Sequence, residues 1–398
     1  MGYKYSQDDK SNLTWFKHDN SRQSLKRLLL SQGKIRGIDS LDIEFTYPIS
    51  AFAGKNGSGK STVLALAACA FHNAPDGFRL PDRSLPYYRF SDFFFQTTDE
   101  VPLEGIDIRY GIAHNDWTKS PQVPEGVGLA YQARKKQKGG KWNDYDTRVD
   151  RNVVFFGIDR VVPPSEKSVF RSSRYKFSEL GKDASYAKVC SAVGKIIGFP
   201  YNNLKIKAHG KYRLPVVNSS GMTYSGFNMG AGEKAMFEIF AAIHRAPDGT
   251  LFIIDEIELG LHEGAQQRFV QLLKETARER KIQVIATTHS GSILNALPPE
   301  GRFYIEKRAG KTTVFKGITP DFATGKMAGR GSGEIRLFVE DRFAKRLLTA
   351  ALSLELRART EFSQLEMWTL SRSNVHLHTE FPAKVRPWRY SMEIRRLC

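Results

Sequence analysis

The chain has 398 residues, 41% of them hydrophobic and 26% charged, with a formal net charge of +18; this excludes a minimal, fibrous or disordered chain and leaves room for one large core or two modest ones. No run approaches the roughly 18 apolar residues of a membrane helix, and the polar start MGYKYSQDDKSNLTWFKHDN lacks a secretory apolar core. Cys69, Cys190 and Cys398 are too few and too scattered for a disulfide framework, so a reducing, cytoplasmic location without a membrane partner is expected.

In chain order, KIRGIDSLDIEF reads as strand and turn, PISAFAG as a buried strand ending in glycine, and STVLALAACAFHN as an apolar helix. From Phe93 to about Ile158 the short runs FFFQ, GIDIRYGIAH, GLAYQAR and NVVFFGI alternate with turns and predict a strand-rich insertion. The basic stretch RKKQKGGK, Arg134 to Lys141, lies between two of these runs and reads as a solvated hairpin tip. SELGKDASYAKVCSAVGKIIG carries helical spacing, and LKIKAHGKYRLPVV reads as another hairpin.

Beyond Asn228 the pattern alternates strictly. Helix AMFEIFAAIHRA, strand TLFIIDE, helix EGAQQRFVQLLKETARER and strand KIQVIATTHS predict a parallel sheet covered on both faces. The hairpin RFYIEKRAGKTTVFKGI, a glycine-rich linker GKMAGRGSGE and an apolar strand EIRLFVED follow. From Arg342 onward there is no aspartate and periodicity fades.

Chemistry concentrates in four places. GKNGSGKS, Gly54 to Ser61, matches G-x-x-x-x-G-K-[ST] between a predicted strand and a predicted helix. Its glycines let backbone N–H groups converge on phosphates at the positive end of the helix. Gly54, Asn56, Gly57, Gly59, Lys60, Ser61 and Thr62 are the expected ATP contacts, with Lys60 on the β- and γ-phosphates and the Ser61 hydroxyl on Mg2+. Asp255 and Glu256 end an apolar strand, where open α/β sheets place their ligands; Asp255 is expected in the Mg2+ shell and Glu256 on the attacking water. His289 ends the next strand, placed for a γ-phosphate or the lytic water. The fourth place, NMGAGEK from Asn228 to Lys234, is a second glycine loop opening a helix but without the lysine–hydroxyl pair of a cradle.

That order of cradle, glycine loop, strand-DE and strand-H resembles the ABC-type P-loop ATPases, with their SMC-like, RecF-like and OLD-like members. The resemblance implies an α/β fold: an ABC-type head with a mixed and parallel central sheet over residues 1–330, a strand-rich insertion lobe over about 93–215, and a partial Toprim-like segment at 334–398. It further implies that Gly230, Gly232 and Glu233 cap the γ-phosphate held by a second copy, so that two ATP molecules are sandwiched in a head-to-tail dimer. The usual serine of that loop is Gly230 here. Gln96 resembles the family's metal- and water-sensing glutamine, and Glu258 and His262 match the stretch that leads across the dimer interface.

The IRGI…FAGKNGSGKST start, GIDRVVPPSEKS, and DEIELGLH before TTHSGSILNALP resemble the OLD-like ATPases of antiphage systems, of the Septu and retron-associated kind. The partners implied are a second copy, an effector nuclease such as an HNH protein, and, from the net charge, nucleic acid, either DNA or retron RNA–DNA. An OLD-type nuclease with a divergent metal site and a RecF-like repair ATPase are the alternatives. RLFVEDRFAKRLL resembles the opening of a Toprim domain with Glu340 as its glutamate; no aspartate follows Asp341, so a self-sufficient Toprim nuclease is not expected.

Overall fold

The computed structural model describes residues 3–137, 141–142, 147–162, 172, 175–308, 311–329 and 333–364. Elements follow in chain order: α1 (Gln7–His18), β1 (Ser24–Gln32), β2 (Leu41–Glu44), β3 (Ile49–Ala53), α2 (Lys60–Ala68), β4 (Ile106–His114), β5 (Gly128–Lys136) and β6 (Val153–Phe156). Next are β7 (Ser178–Glu179), α3 (Tyr186–Ile197), β8 (Asn202–His209), β9 (Tyr212–Ser219), β10 (Met222–Ser225), α4 (Ala231–Arg245), β11 (Leu251–Ile254), α5 (Glu263–Arg280) and β12 (Gln283–Thr287). The chain continues through α6 (Gly291–Ala296), β13 (Arg302–Arg308), β14 (Lys311–Lys316), α7 (Pro320–Met327), β15 (Ile335–Val339), α8 (Arg342–Ala351), α9 (Leu354–Ala358) and β16 (Thr360–Gln364).

The central sheet has the order β14-β13-β3-β12-β11-β6. Every pairing in it is parallel except the antiparallel β13–β14 hairpin at one edge. Its strands are short apolar runs because both faces are covered. Phe252 and Ile254 of β11 enter a core with α3, α4 and α5, whereas Leu251 and Ile253 enter a second core with α2 and the sheet β2-β1-β4-β5. Alternation of period two thus divides one strand between two cores. Residues 63–68 of α2 are each at most 2% exposed, so the cradle helix is driven into the second core over nearly its whole length.

The expected α/β architecture is present, and several local expectations change. NVVFFGI was expected in the insertion, but β6 is the edge strand of the central sheet, because its apolar residues are buried beside β11. FFFQ forms no strand: Phe93 and Phe94 fold back on the carbonyl of Phe90, and Phe93 lies 5.1 Å from the Phe155 ring. β5 and β6 belong to different sheets, so the basic stretch does not close a hairpin of those two strands, although Lys136 pairs with Trp142 in an isolated antiparallel bridge. Arg134 lies within β5, 1% exposed, with its guanidinium near the Tyr110 ring; residues 138–140 of that stretch are outside the described residues. The strands β7–β10 form their own antiparallel sheet over 178–225.

The linker expected from Gly325 begins inside α7, and its residues 330–332 are outside the described set. After it, β15, α8, α9 and β16 make a small unit with β15 and β16 parallel; residues 365–398 are outside the described residues. Among the described residues no helix is long and apolar enough to cross a membrane.

The helix α1 lacks an apolar signature and was not expected. Ser6 caps it by accepting from Asp9 N at 3.1 Å, and Asp9 accepts from Ser6 N at 2.9 Å. Asp9 is fully buried against Lys274 of α5 at 2.8 Å and accepts from the Tyr47 hydroxyl at 2.9 Å, which fastens α1 to the back of the head.

Candidate nucleotide site

The loop between β3 and α2 has a shape that glycine makes possible. Gly57 and Gly59 have φ of +75° and +106°, in the left-handed region that favours glycine. A Cβ on Gly59 would meet Ile38 Cδ1 at 2.7 Å, so a side chain there would also have to displace Ile38. Gly59 is the N-cap of α2 and offers no side-chain cap, which leaves the first amides of the helix for a ligand.

Lys60, 7% exposed, folds its Nζ over the loop and donates to the carbonyls of Gly54 at 2.7 Å and Lys55 at 3.3 Å. Burial lowers its pKa, and Glu256, Asp255 and Glu258 pull it back up. Ser61 and Asn56 are exposed at the mouth of the loop, and Thr62 is buried behind it.

The carboxylate pair is held by the strand beside it. Thr287, the last residue of β12, donates its hydroxyl to Asp255 Oδ1 at 2.6 Å and accepts from Glu256 N at 2.7 Å. Glu256 has φ +48°, which turns the chain sharply after β11. Its Oε1 lies 3.2 Å from His289 Nε2. Burial first, then Glu258, raises the Glu256 pKa to about 7. Burial and Lys60 lower that of His289, which favours neutral imidazole. Glu258 accepts from His289 N at 2.5 Å, so this residue, expected at the edge of a dimer contact, also ties the two strand ends of its own chain together. His262 caps α5 by accepting from Ala265 N at 3.3 Å.

The structure therefore gathers Lys60, Asp255, Glu256 and His289 at the carboxyl ends of three neighbouring strands, with Ser61 one residue beyond Lys60. Ser61 and Asp255 are hard oxygen donors, and the Thr287 bond occupies only one Asp255 oxygen. That donor set suits Mg2+, which takes one or two protein oxygens and completes its shell with phosphate oxygens and water. Among the described residues no three His, Cys, Asp or Glu side chains form a metal cage.

Gln96 sits in an exposed loop rather than at a strand end. Its Nε2 donates to Val101 O at 2.5 Å and its Oε1 accepts from Leu103 N at 3.1 Å, so the side chain is engaged within its own loop.

The second glycine loop is built differently. Asn228, Gly230 and Ala231 are exposed at the start of α4, and Glu233 accepts from Gly230 N at 3.3 Å and from the Tyr224 hydroxyl at 2.7 Å. Gly232 is buried against the backbone of Gly260, in the turn that follows Asp255 and Glu256; a Cβ there would run into Gly260 O.

Two residues that hold this site were passed over in the sequence. Thr287 was visible only as part of VIATTHS. Arg160 was visible only within GIDRVV, and its guanidinium reaches the carbonyls of Asp255 and Glu256.

A sequence profile for the family described as "AAA domain, putative AbiEii toxin, Type IV TA system" matches residues 49–295, more than half of the chain. The "Retron Ec83 probable ATPase" of Escherichia coli is 29% identical over 133 residues, which cover 30% of this chain and 23% of that protein. The "OLD nuclease" of Thermus scotoductus is 31% identical over 129 residues, covering 31% and 22%. The chain thus spans less than a quarter of the length of either relative. Among solved structures, the "SMC head domain from Thermotoga maritima" matches 73% of this chain and 98% of its own at 15% identity, with a TM-score of 0.43.

Proposed function

Because the chain belongs to this AAA domain family and is a P-loop ATPase of the ABC type related to the retron and OLD-like proteins, we propose that it closes around ATP as a head-to-tail dimer. Hydrolysis reopens that dimer. In this reading the closed and open states gate a partner effector, a nuclease such as an HNH protein, in prokaryotic antiphage defence. The retron ATPase and OLD nuclease relatives support that setting, and the net charge of +18 supports a nucleic-acid partner, DNA or a retron RNA–DNA hybrid.

Each residue has a job in this mechanism. The amides from Asn56 to Thr62 cradle the phosphates, and Lys60 sits against the β- and γ-phosphates. Ser61 and Asp255 would hold Mg2+, which supplies charge neutralisation on the phosphate oxygens when bound. Glu256 orients and polarises the attacking water, and the neutral His289 beside it holds the same water or a γ-phosphate oxygen. The exposed start of α4 at Gly230 and Ala231 presents the Ala231 amide to the nucleotide of the second copy, while the Gly230 amide is held by Glu233, so each site is completed only by assembly.

The observation that carries this reading is the approach of Glu256 to His289, 3.2 Å, within the electrostatic reach of the cradle lysine. Its test is Glu256→Gln. The variant should bind ATP as the parent does, lose turnover by roughly 100-fold or more, and accumulate as an ATP-bound dimer in light scattering. Hydrolysis at the parental rate would remove Glu256 from its role, and a variant that stays monomeric in saturating ATP would remove the trans cap.

A further inference from the structure

Arg160 takes no part in the mechanism above, yet it is bonded to the middle of it. It lies in the single turn Ile158–Val161 after β6 and is 5% exposed. Its Nη1 donates to Gly157 O at 2.7 Å and to Asp255 O at 2.7 Å, and its Nη2 donates to Glu256 O at 2.5 Å. The planar fork thus spans two successive peptide carbonyls, a geometry that lysine's single ammonium cannot copy.

Burying this cation is costly. Desolvation pushes its pKa down, while Asp255, Glu258, Asp159 and Glu238 pull it back, and its Nε is buried with no hydrogen-bond partner. A guanidinium keeps its charge in such surroundings. An apolar side chain of similar volume would fill the space without that penalty.

The backbone it clamps is also unusual. Glu256 has φ +48° without being glycine, a conformation that costs on the order of 1 kcal/mol or more and persists only where its surroundings hold it. Three contacts fix it: its N–H donates to the Thr287 hydroxyl, and its carbonyl accepts from Arg160 and from Leu259 N at 3.1 Å. Relaxation of this residue toward an ordinary conformation would break at least one of them and carry the carboxylate away from His289.

We propose that Arg160 is a positioning residue for hydrolysis: by clamping the carbonyls of Asp255 and Glu256 it holds the Glu256 carboxylate in line with His289 and the phosphate cradle. This rests on Glu256 being the group that orients the attacking water. Arg160 acts on turnover rather than on nucleotide affinity, since the cradle of Gly54 to Ser61 is built from other elements.

The test uses the full chain with Arg160→Met and Arg160→Lys, each alone and combined with Glu256→Gln. ATP Kd should stay within about 3-fold of the parent, while kcat falls roughly 10- to 100-fold, the scale of a catalytic group misplaced by about an ångström. In the Glu256→Gln background, adding Arg160→Lys should change the residual turnover by less than about 2-fold, because the group it positions is already gone. A merely structural arginine would lower kcat equally in both backgrounds, and that outcome overturns the proposal. So does an unchanged kcat in the single variants, or a Kd that rises in step with the loss of rate. If Arg160→Met does not fold, the Arg160→Lys pair decides alone. Should Glu256→Gln itself hydrolyse ATP normally, the reading of Glu256 fails first, and a loss of kcat in Arg160→Lys would then point to a different water-orienting group.

Discussion

The two glycine loops both end in a lysine, GKNGSGK and NMGAGEK, and the two lysines have different surroundings. Lys60 is the first residue of α2, directly after the left-handed Gly59, and its side chain folds back over the loop to two loop carbonyls. Lys234 is the fourth residue of α4, 4% exposed, and it pairs with Glu238 one turn further on at 3.3 Å. The same residue type at the end of a glycine loop therefore folds over its own cradle in one loop and packs along the helix in the other. Helix register decides which: a side chain at the first position can reach back over the N-terminus, whereas one at the fourth lies along the helix flank.

The sharpest way to break this contrast is to remove each lysine in turn. Lys60→Ala should weaken ATP binding by about 100-fold or more, about 2.7 kcal/mol at 25 °C. Lys234→Met should leave Kd within about 3-fold and lower the melting temperature instead. Isothermal titration calorimetry and a thermal melt on both variants separate the two roles. Comparable losses of affinity would mean that the second loop also touches its own chain's nucleotide.

The next effect is one of packing. A Cβ at Gly232 would collide with backbone at Gly260, in the turn leading away from Asp255 and Glu256, and neither side of that contact is a flexible side chain that could yield. Gly232→Ala should cost roughly 1–3 kcal/mol, the usual range for overpacking, seen as a lower denaturation midpoint. Because the strain falls between α4 and the carboxylate turn, turnover should drop while ATP affinity is kept. An unstrained, fully active variant would show that the two loops move independently.

These differences also mark what the sequence makes legible. The strand–helix–strand alternation after Asn228 and the cradle pattern are local signals, since each element buries its own apolar run, and they are read directly from residues 49–61 and 228–290. Membership of β6 in the central sheet is not local: VVFF has the same apolar character whether it pairs with β5 or with β11. Arg134 and Arg160 were hidden for a related reason. A basic residue in a polar stretch reads as solvated, and only the tertiary structure shows that Arg134 is buried within β5 and that Arg160 meets three carbonyls. Helix α1 escaped because its buried face includes Asp9 and Asn12, whose partners Lys274 and Tyr47 are far along the chain. Polar groups satisfied over long range leave no periodic trace.

The smallest effect is the most specific to the second loop. Gly230 has φ −59° and ψ 149°, which any residue can adopt, and a Cβ there meets nothing within 4 Å. Gly230→Ser should therefore fold normally and gain only a few tenths of a kcal/mol from a better N-cap. Its added hydroxyl would stand beside the exposed amides of α4. If those amides meet the phosphate of a second copy, one more hydrogen bond should raise turnover by about 2- to 10-fold, the rate equivalent of about 0.5–1.5 kcal/mol. On that reading the gain must depend on protein concentration and vanish under dilution, because the hydroxyl would act on the nucleotide of a second copy. A gain that persists at high dilution would place serine and phosphate in one polypeptide, and the second loop would then be the far wall of its own cradle.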